Sequence, residues 1–314
     1  MVNGKYSAVK YLFVIASFAY LAYKLIAFDE YFEFIEQWQQ TPANRLLWLI
    51  GVLVLLPLNW ALESVKWMHI TAHLQKLSFL QSLKGVLAGI TTGFFTPNRI
   101  GDLVGRIVFL RPQNRTAGIT LSLLNSFTQN FVIVFCGIPA CILLFSKNDS
   151  MNSGIQLYLA ISISLLIVFA SSYFLFPALS KKIKNRKTGE KLNKFVDCLS
   201  EYSTQNLLEI IFISLLRYVV FSAQFFFMLR FFNVHLTLWQ ALLAIPTNYL
   251  FITFTPSVAF SEVTLRASYA IFTLSFFSDQ TINIGLAGMA IWFVNWIIPL
   301  LAGSAVMLKS KKTI

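Results

Sequence analysis

Charge is scarce in this chain. Only 12% of its 314 residues are Asp, Glu, Lys or Arg, where a soluble domain carries about a quarter. With 57% of residues hydrophobic, a single soluble core cannot hide the apolar surface, and the same excess excludes a disordered chain. A soluble enzyme is excluded with it. Cysteine is scarce too: Cys136 and Cys141 lie in one apolar run and Cys198 in a basic stretch. They form neither a disulfide framework nor a Cys-x-x-Cys pair, which excludes a secreted disulfide scaffold. Of the three histidines, His69 and His73 are spaced to ligate one metal from a single helical face. No third ligand is near and no His-Glu-x-x-His pattern exists, so an interfacial aromatic-like role is expected, with no metal and no cofactor.

What the chain has in quantity is apolar runs that approach or exceed the roughly 20 residues needed to cross a bilayer. The uncharged runs 46–62, 116–145, 155–180 and 282–308 read as spanning helices. Two further candidates contain charge: 6–28 carries Lys10 and Lys24, and 207–232 carries Glu209, Arg217 and Arg230. All but Arg217 sit near helix ends, where long side chains snorkel to the interface. The segment 6–28 lacks a small-x-small cleavage site and is expected to be an uncleaved anchor, a signal peptide being the alternative.

The net charge of +12 suggests nucleic acid in a soluble chain, whereas in a membrane protein it marks the cytoplasmic face, and no nucleic-acid partner is expected. Asp29, Glu30, Glu33 and Glu36 precede Arg45 and suit the outside; the basic loop 181–206, with Lys181 to Lys194, suits the inside, as does the tail from Lys309. An inside amino terminus and an inside basic loop require an even number of crossings between them. The segment 77–110 must therefore enter and turn back. Thr96-Pro97 supplies the break, because proline lacks an N–H and disfavours helical angles in the residue before it. Its return limb carries Arg99, Asp102 and Arg106 and is too short and polar to cross alone. A re-entrant hairpin is the expected outcome, tolerated where protein or a wet cavity surrounds it.

That hairpin recurs. The stretch from Leu77 through Gln81 to Thr96-Pro97 finds a counterpart from Leu236 through Gln240 to Thr255-Pro256, at a constant offset of 159 residues (256 − 97). Three full crossings separate the helices that precede the two units, so the second, with its hairpin at 236–277, is expected upside down. Inverted repeats with broken helices meeting near the midplane are an architecture of alternating-access transporters.

These residues resemble the integral-membrane region of the lysylphosphatidylglycerol synthetase/flippase family over nearly the whole chain. A Thr-Pro-Gly-Arg-x-Gly-Glu motif followed by Arg appears as Thr96-Pro97-Asn98-Arg99-Ile100-Gly101-Asp102 with Arg106, departing at Asn98 and Asp102. A second motif, Pro with a Gly-rich turn and an Arg-Glu pair, is matched loosely by Pro256 to Glu262 with Arg266. Bifunctional members carry an aminoacyltransferase domain after the membrane region, while this sequence stops at Ile314. The resemblance therefore implies the lipid-translocating half, with a phospholipid or another anionic amphiphile as substrate class.

Arg99, Asp102 and Arg106 are spaced by three and four residues and share one face on a helix. One interpretation is a cytoplasmic loop obeying the positive-inside rule; the other is a headgroup site, since an arginine fork matches phosphate and a helix amino terminus offers free N–H groups. Glu262 and Arg266 are an i,i+4 pair that either binds substrate or satisfies itself. Arg217 and Glu63 precede the two hairpins, each able to partner the opposite repeat's charge, with Lys66 as a local alternative for Glu63. Hydroxyls and amides near the breaks, such as Thr91, Thr92, Asn248 and Tyr249, are expected mainly to satisfy backbone.

The expectation is an all-α polytopic membrane protein of one integral domain, 1–314, with six full transmembrane helices and two re-entrant hairpins in an inverted-topology repeat. Its parts are the anchor 6–28, a first repeat 45–180 and a second repeat 207–314, with the basic loop between them. Both termini face the cytoplasm of a bacterial inner membrane. The expected function is a flippase for an anionic phospholipid, not an enzyme, with Arg99, Asp102, Arg106, Arg217, Glu262 and Arg266 at the substrate and Thr96, Pro97, Thr255 and Pro256 as breaks. An intramembrane enzyme acting on a lipid-linked phosphate and a scaffold for lipid or glycan synthesis are the alternatives, and homo-oligomerisation is left open.

Overall fold

Residue Glu36 and residues 43–146, 155–184, 198–256 and 259–309 are described by a computed structural model. The anchor expected at 6–28 and most of the basic loop lie outside them. Every regular element among the described residues is helical. In chain order these are α1 (Ala43–Thr71), α2 (Phe79–Phe94), α3 (Ile100–Ile107), α4 (Arg115–Phe145), α5 (Ile155–Lys184), α6 (Thr204–Phe231), α7 (Leu238–Phe254), α8 (Ala259–Leu274) and α9 (Thr281–Lys309).

Four helices, Asn44–Thr71, Pro112–Phe145, Thr204–Phe231 and Thr281–Leu308, are long and apolar enough to cross a membrane. The surface is apolar where a soluble protein is polar: Leu47 and Val54 of α1, Val168 of α5 and Phe212 of α6 stand exposed. Polar side chains such as Ser64, Thr128 and Gln224 lie fully buried between helices. That inversion fits a hydrocarbon solvent, and the chain is an α-helical polytopic membrane protein. Many buried hydroxyls cost little because they find a carbonyl: Ser82 donates to Ser64 O at 2.7 Å, and Thr128 to Leu124 O at 2.8 Å.

Helix α1 outruns its uncharged stretch. The apolar run ends at Leu62, yet the helix continues through Glu63, Lys66 and His69 to Thr71. Charge ends a lipid-facing surface, but not a helix whose charged face is covered by protein. His73 lies beyond the helix end and meets Asn206, while His69 holds Val65 O. The two histidines therefore share no helical face.

Helices α1 and α6 form the central pair and run antiparallel. Trp48 packs on Phe227, Gln224 donates to Val52 O, Arg217 donates to Asn59, and Tyr202, just ahead of α6, donates to Ile70 O near the end of α1. Burial pushes the Tyr202 phenol above its ordinary range. Helix α2 begins after the carboxy end of α1 and α7 after that of α6, so the two start at opposite ends of the pair. Both begin identically. Ser78 caps α2 with Gln81 reaching back, and Thr237 caps α7 with Gln240 reaching back, each a reciprocal capping box.

Each of these helices then turns back on itself. Thr96 accepts the Gly101 N–H and Thr92 donates to Gly101 O, both at 2.7 Å, stitching α3 against α2. The approach is so close that a side chain at Gly105 would collide with Ala88 O and Gly89 Cα. In the second hairpin Thr255 meets the Tyr269 hydroxyl at 2.7 Å, and Phe251 packs on Tyr269 and Phe272. At 16 and 17 residues, α2 and α7 reach roughly 24–26 Å at 1.5 Å per residue, short of a hydrocarbon core about 30 Å thick.

Packing is unchanged when α1–α4 are exchanged with α6–α9. Helix α2 packs on α9 as α7 packs on α4; α3 packs on α4 as α8 packs on α9; and α1 contacts α2 as α6 contacts α7. Helix α5 stands outside this scheme, against α4.

Candidate functional site

The charged residues singled out in the sequence fall into two buried clusters, one on each hairpin. Cluster one centres on Glu63, which is 2% exposed. Its Oε1 accepts from Arg106 Nη1 at 2.5 Å and from Asn125 Nδ2 at 2.8 Å. Its Oε2 faces Lys66 Nζ at 2.9 Å and Arg217 Nη1 at 3.0 Å. Arg106 also holds Asp102 through Nε and Nη2 at about 2.9–3.0 Å, and Arg217 donates to Asn59 Oδ1 at 2.8 Å and Gln129 Oε1 at 3.1 Å. Three cations and two carboxylates are thus knotted where α1, α3, α4 and α6 converge.

Cluster two lies where the hairpins touch. The Arg99 guanidinium pairs with Glu262 of α8 and lies 4.0 Å over the Trp296 ring of α9. Glu262 also takes Arg266 at 3.4 Å and the Trp292 indole N–H at 3.4 Å. One carboxylate therefore serves two guanidinium groups. Arg99 is the accessible member, its side chain 47% exposed against 7% for Glu262.

Arg99 does not share a face with Asp102 and Arg106. Asn98 and Arg99 both take left-handed backbone angles, φ 50° and 61°, and α3 starts only at Ile100. The turn throws Arg99 toward the other hairpin while the i,i+4 pair Asp102–Arg106 faces α1. Asparagine is among the few residues that tolerate such angles, which explains how Asn98 stands where the resembled motif has glycine. Of the break residues, Thr96 and Thr255 each hydrogen-bond across their own hairpin; Pro97 opens a short 3₁₀ turn and Pro256 follows the end of α7.

Glu63 takes both expected partners, Arg217 of the opposite repeat and the local Lys66. Sequence reasoning missed Asn59, Asn125 and Gln129, which complete the first cluster, and Trp292 and Trp296, which complete the second. Asn59 is signalled by its position one turn from Glu63, and Asn125 and Gln129 by the three-and-four polar spacing they share with Ser122 in an otherwise apolar run. Thr91, Thr92 and Tyr249 satisfy backbone carbonyls as expected. Among the described residues, no group of three metal-ligating side chains converges.

A cluster of this kind is costly to bury and costlier to break, since removing one partner strands a charge in a low dielectric. The hydrogen-bonded amides and indoles offset part of that cost.

No curated protein and no solved structure shows a significant match to the chain. The sequence model of the family described as lysylphosphatidylglycerol synthase TM region matches residues 8–303. With nearly its whole length covered, the chain belongs to the lysylphosphatidylglycerol synthase transmembrane-region family.

Proposed function

We propose that this protein moves an anionic phospholipid, or a related lipid-linked amphiphile, between the leaflets of a bacterial inner membrane, with Arg99, Asp102, Arg106, Arg217, Glu262 and Arg266 forming the headgroup path. Family membership supports a role with membrane lipid. The observation that carries the translocation proposal is that two helical hairpins, begun at opposite ends of the α1/α6 pair, meet through Arg99 and Glu262 beside buried arginines. In this proposal the chain is one integral domain with repeats at 45–180 and 207–314, six full crossings and both termini inside. The hairpins at 77–110 and 236–277 are re-entrant, the first from the cytoplasm and the second from outside.

A phosphodiester headgroup loses its hydration on entering hydrocarbon, at a cost of several kcal/mol or more. Guanidinium groups along the way replace that hydration, so crossing needs no covalent chemistry. Arg99 is held by Glu262 in the closed arrangement. A headgroup phosphate competes with that carboxylate for the same fork, and its arrival frees the two turns to separate while the lipid tails remain in hydrocarbon. The breaks at Thr96-Pro97 and Thr255-Pro256 let the hairpins move as units.

The test is reconstitution into liposomes carrying a fluorescent phospholipid in both leaflets, with a membrane-impermeant quencher outside. Accelerated exchange without covalent change of the lipid is the expected result, lost in Arg99→Gln at unchanged protein level. A modified lipid product identifies an intramembrane enzyme instead, and exchange at wild-type rate in Arg99→Gln removes the hairpin contact from the mechanism.

A further inference from the structure

Both return limbs carry the same ion pair, yet its surroundings differ between the repeats. Past the hairpin turns the offset grows by one residue to 160, so Asp102 corresponds to Glu262 (262 − 102) and Arg106 to Arg266 (266 − 106). Pro139 in α4 and Pro299 in α9 keep the same spacing (299 − 139). In the first repeat Arg106 is closed on all sides, with Asp102 on Nε and Nη2 and Glu63 on Nη1. In the second, among the described residues, Arg266 reaches just the Glu262 carboxylate that Arg99 already holds, and its buried Nε has no partner.

The missing partner is visible in the repeat. Before the turn the offset is 159, and the counterpart of Glu63 is Ser222 (222 − 63). The counterpart of Asn59 is Tyr218 (218 − 59). The hydroxyls of Ser222 and Tyr218, one turn apart on α6, are buried facing one another with no carbonyl or carboxylate on them among the described residues, and Oδ1 of Asn248, a residue only 2% exposed, is buried without a partner there. Asn248 corresponds to Gly89 (248 − 89), where Asp102 and Arg106 pack so close that a side chain would collide with them. Tyr249 connects the group: its hydroxyl donates to Phe221 O, its ring packs on Tyr218, and Arg266 lies within electrostatic reach of it.

A buried Arg266 Nε–H without an acceptor, on an arginine that shares the Glu262 carboxylate with Arg99, beside two buried hydroxyls that no carbonyl holds, asks for an occupant. We infer that Arg266, Ser222, Tyr218 and Asn248 form an exchangeable anion site for a phosphate group, at the position where the first repeat is filled by its own Glu63 carboxylate. Arg266 Nε–H and the Ser222 and Tyr218 hydroxyls donate to the non-bridging oxygens of a phosphodiester and Arg266 supplies the opposite charge, while Asn248 Oδ1, an acceptor, suits a hydroxyl of the ligand. The naming of a lipid headgroup as the source of that phosphate rests on the translocation proposal. The two repeats thus divide the work: one is closed by the protein itself, and the other is loaded and emptied.

Detergent-purified protein titrated with dioctanoyl-phosphatidylglycerol, and separately with inorganic phosphate, tests this through the thermal unfolding midpoint. The short-chain lipid is expected to raise the wild-type midpoint saturably, with Kd weakened at least about tenfold in Ser222→Glu and in Arg266→Gln, which remove the vacancy and the cation respectively. Ser222→Glu is also expected to raise the ligand-free midpoint, since it supplies the absent carboxylate. Equal lipid affinity in wild type and Ser222→Glu overturns the site, as does the absence of any wild-type shift. Should Ser222→Glu fail to fold, undiminished lipid affinity in Arg266→Gln overturns it equally. A response to inorganic phosphate with none to the lipid overturns the headgroup source. Binding that follows the expected pattern in a protein that exchanges no lipid in liposomes leaves the anion site standing and removes translocation, so the two proposals fail separately.

Discussion

At the residue scale the first cluster is governed by one carboxylate. Glu63 faces Lys66, Arg106 and Arg217 within 3.0 Å, so Glu63→Gln leaves three cations with Asp102 alone. Destabilisation of about 3–5 kcal/mol is expected from a stranded buried charge, measured as a lower thermal or denaturant midpoint in detergent. Lys66→Met should behave differently. Lys66 is fully buried, and its contacts are Glu63 and a long 3.4 Å bond to Gln129; removing it leaves two cations against two carboxylates. Replacing a buried ion by an apolar group of similar volume is often neutral or stabilising, so Lys66→Met is expected to cost less than half as much as Glu63→Gln. An equal cost would mean that Lys66 is needed to hold Gln129 as well. The charged members of this cluster were legible in the sequence because charge is rare in an apolar chain. Their amide partners were harder to read: Asn59 stands alone in an apolar run, while Ser122, Asn125 and Gln129 keep a helical polar period that marks a buried face of α4 but does not name the charge it meets.

The hairpins are the elements on which the proposed function turns, and they depend on caps and on close approach. Gln81 and Gln240 each reach back to the N–H of the capping residue, at 3.1 and 2.8 Å. Gln81→Ala and Gln240→Ala are each expected to cost about 0.5–2 kcal/mol, the range of a lost cap, and by similar amounts, which paired unfolding measurements would check. Gly105→Leu is expected to cost more than either. A side chain there meets backbone atoms of α2, which cannot swing aside, and overpacking in a tight interface typically costs about 1–3 kcal/mol or more. The breaks at Thr96-Pro97 and Thr255-Pro256, and the duplicated glutamines, were legible because proline chemistry and exact spacing survive in an apolar background. The left-handed turn at Asn98 and Arg99 was hidden, and with it the direction of Arg99. A three-and-four spacing predicts a shared face only if the helix has already begun, and here it begins one residue too late.

At the scale of the whole molecule, the exchange of α1–α4 with α6–α9 requires an axis that crosses the α1/α6 pair, because those two equivalent helices run antiparallel. If the four long apolar helices cross a bilayer, such an axis lies along the membrane plane, and equivalent points must open on opposite faces. The capping residues Ser78 and Thr237 are the most convenient such points, being equivalent and placed at the two hairpin entrances. In a background with Cys136, Cys141 and Cys198 replaced by serine, Ser78→Cys is expected to resist a membrane-impermeant maleimide in intact spheroplasts and to react after lysis. Thr237→Cys is expected to react in intact spheroplasts. Labelling of both from one face would place the two entrances on the same side, and no rotation relating antiparallel helices across a bilayer produces that. The repeat would then be a packing device without two-sided access, and a headgroup entering at one hairpin would have no exit at the other.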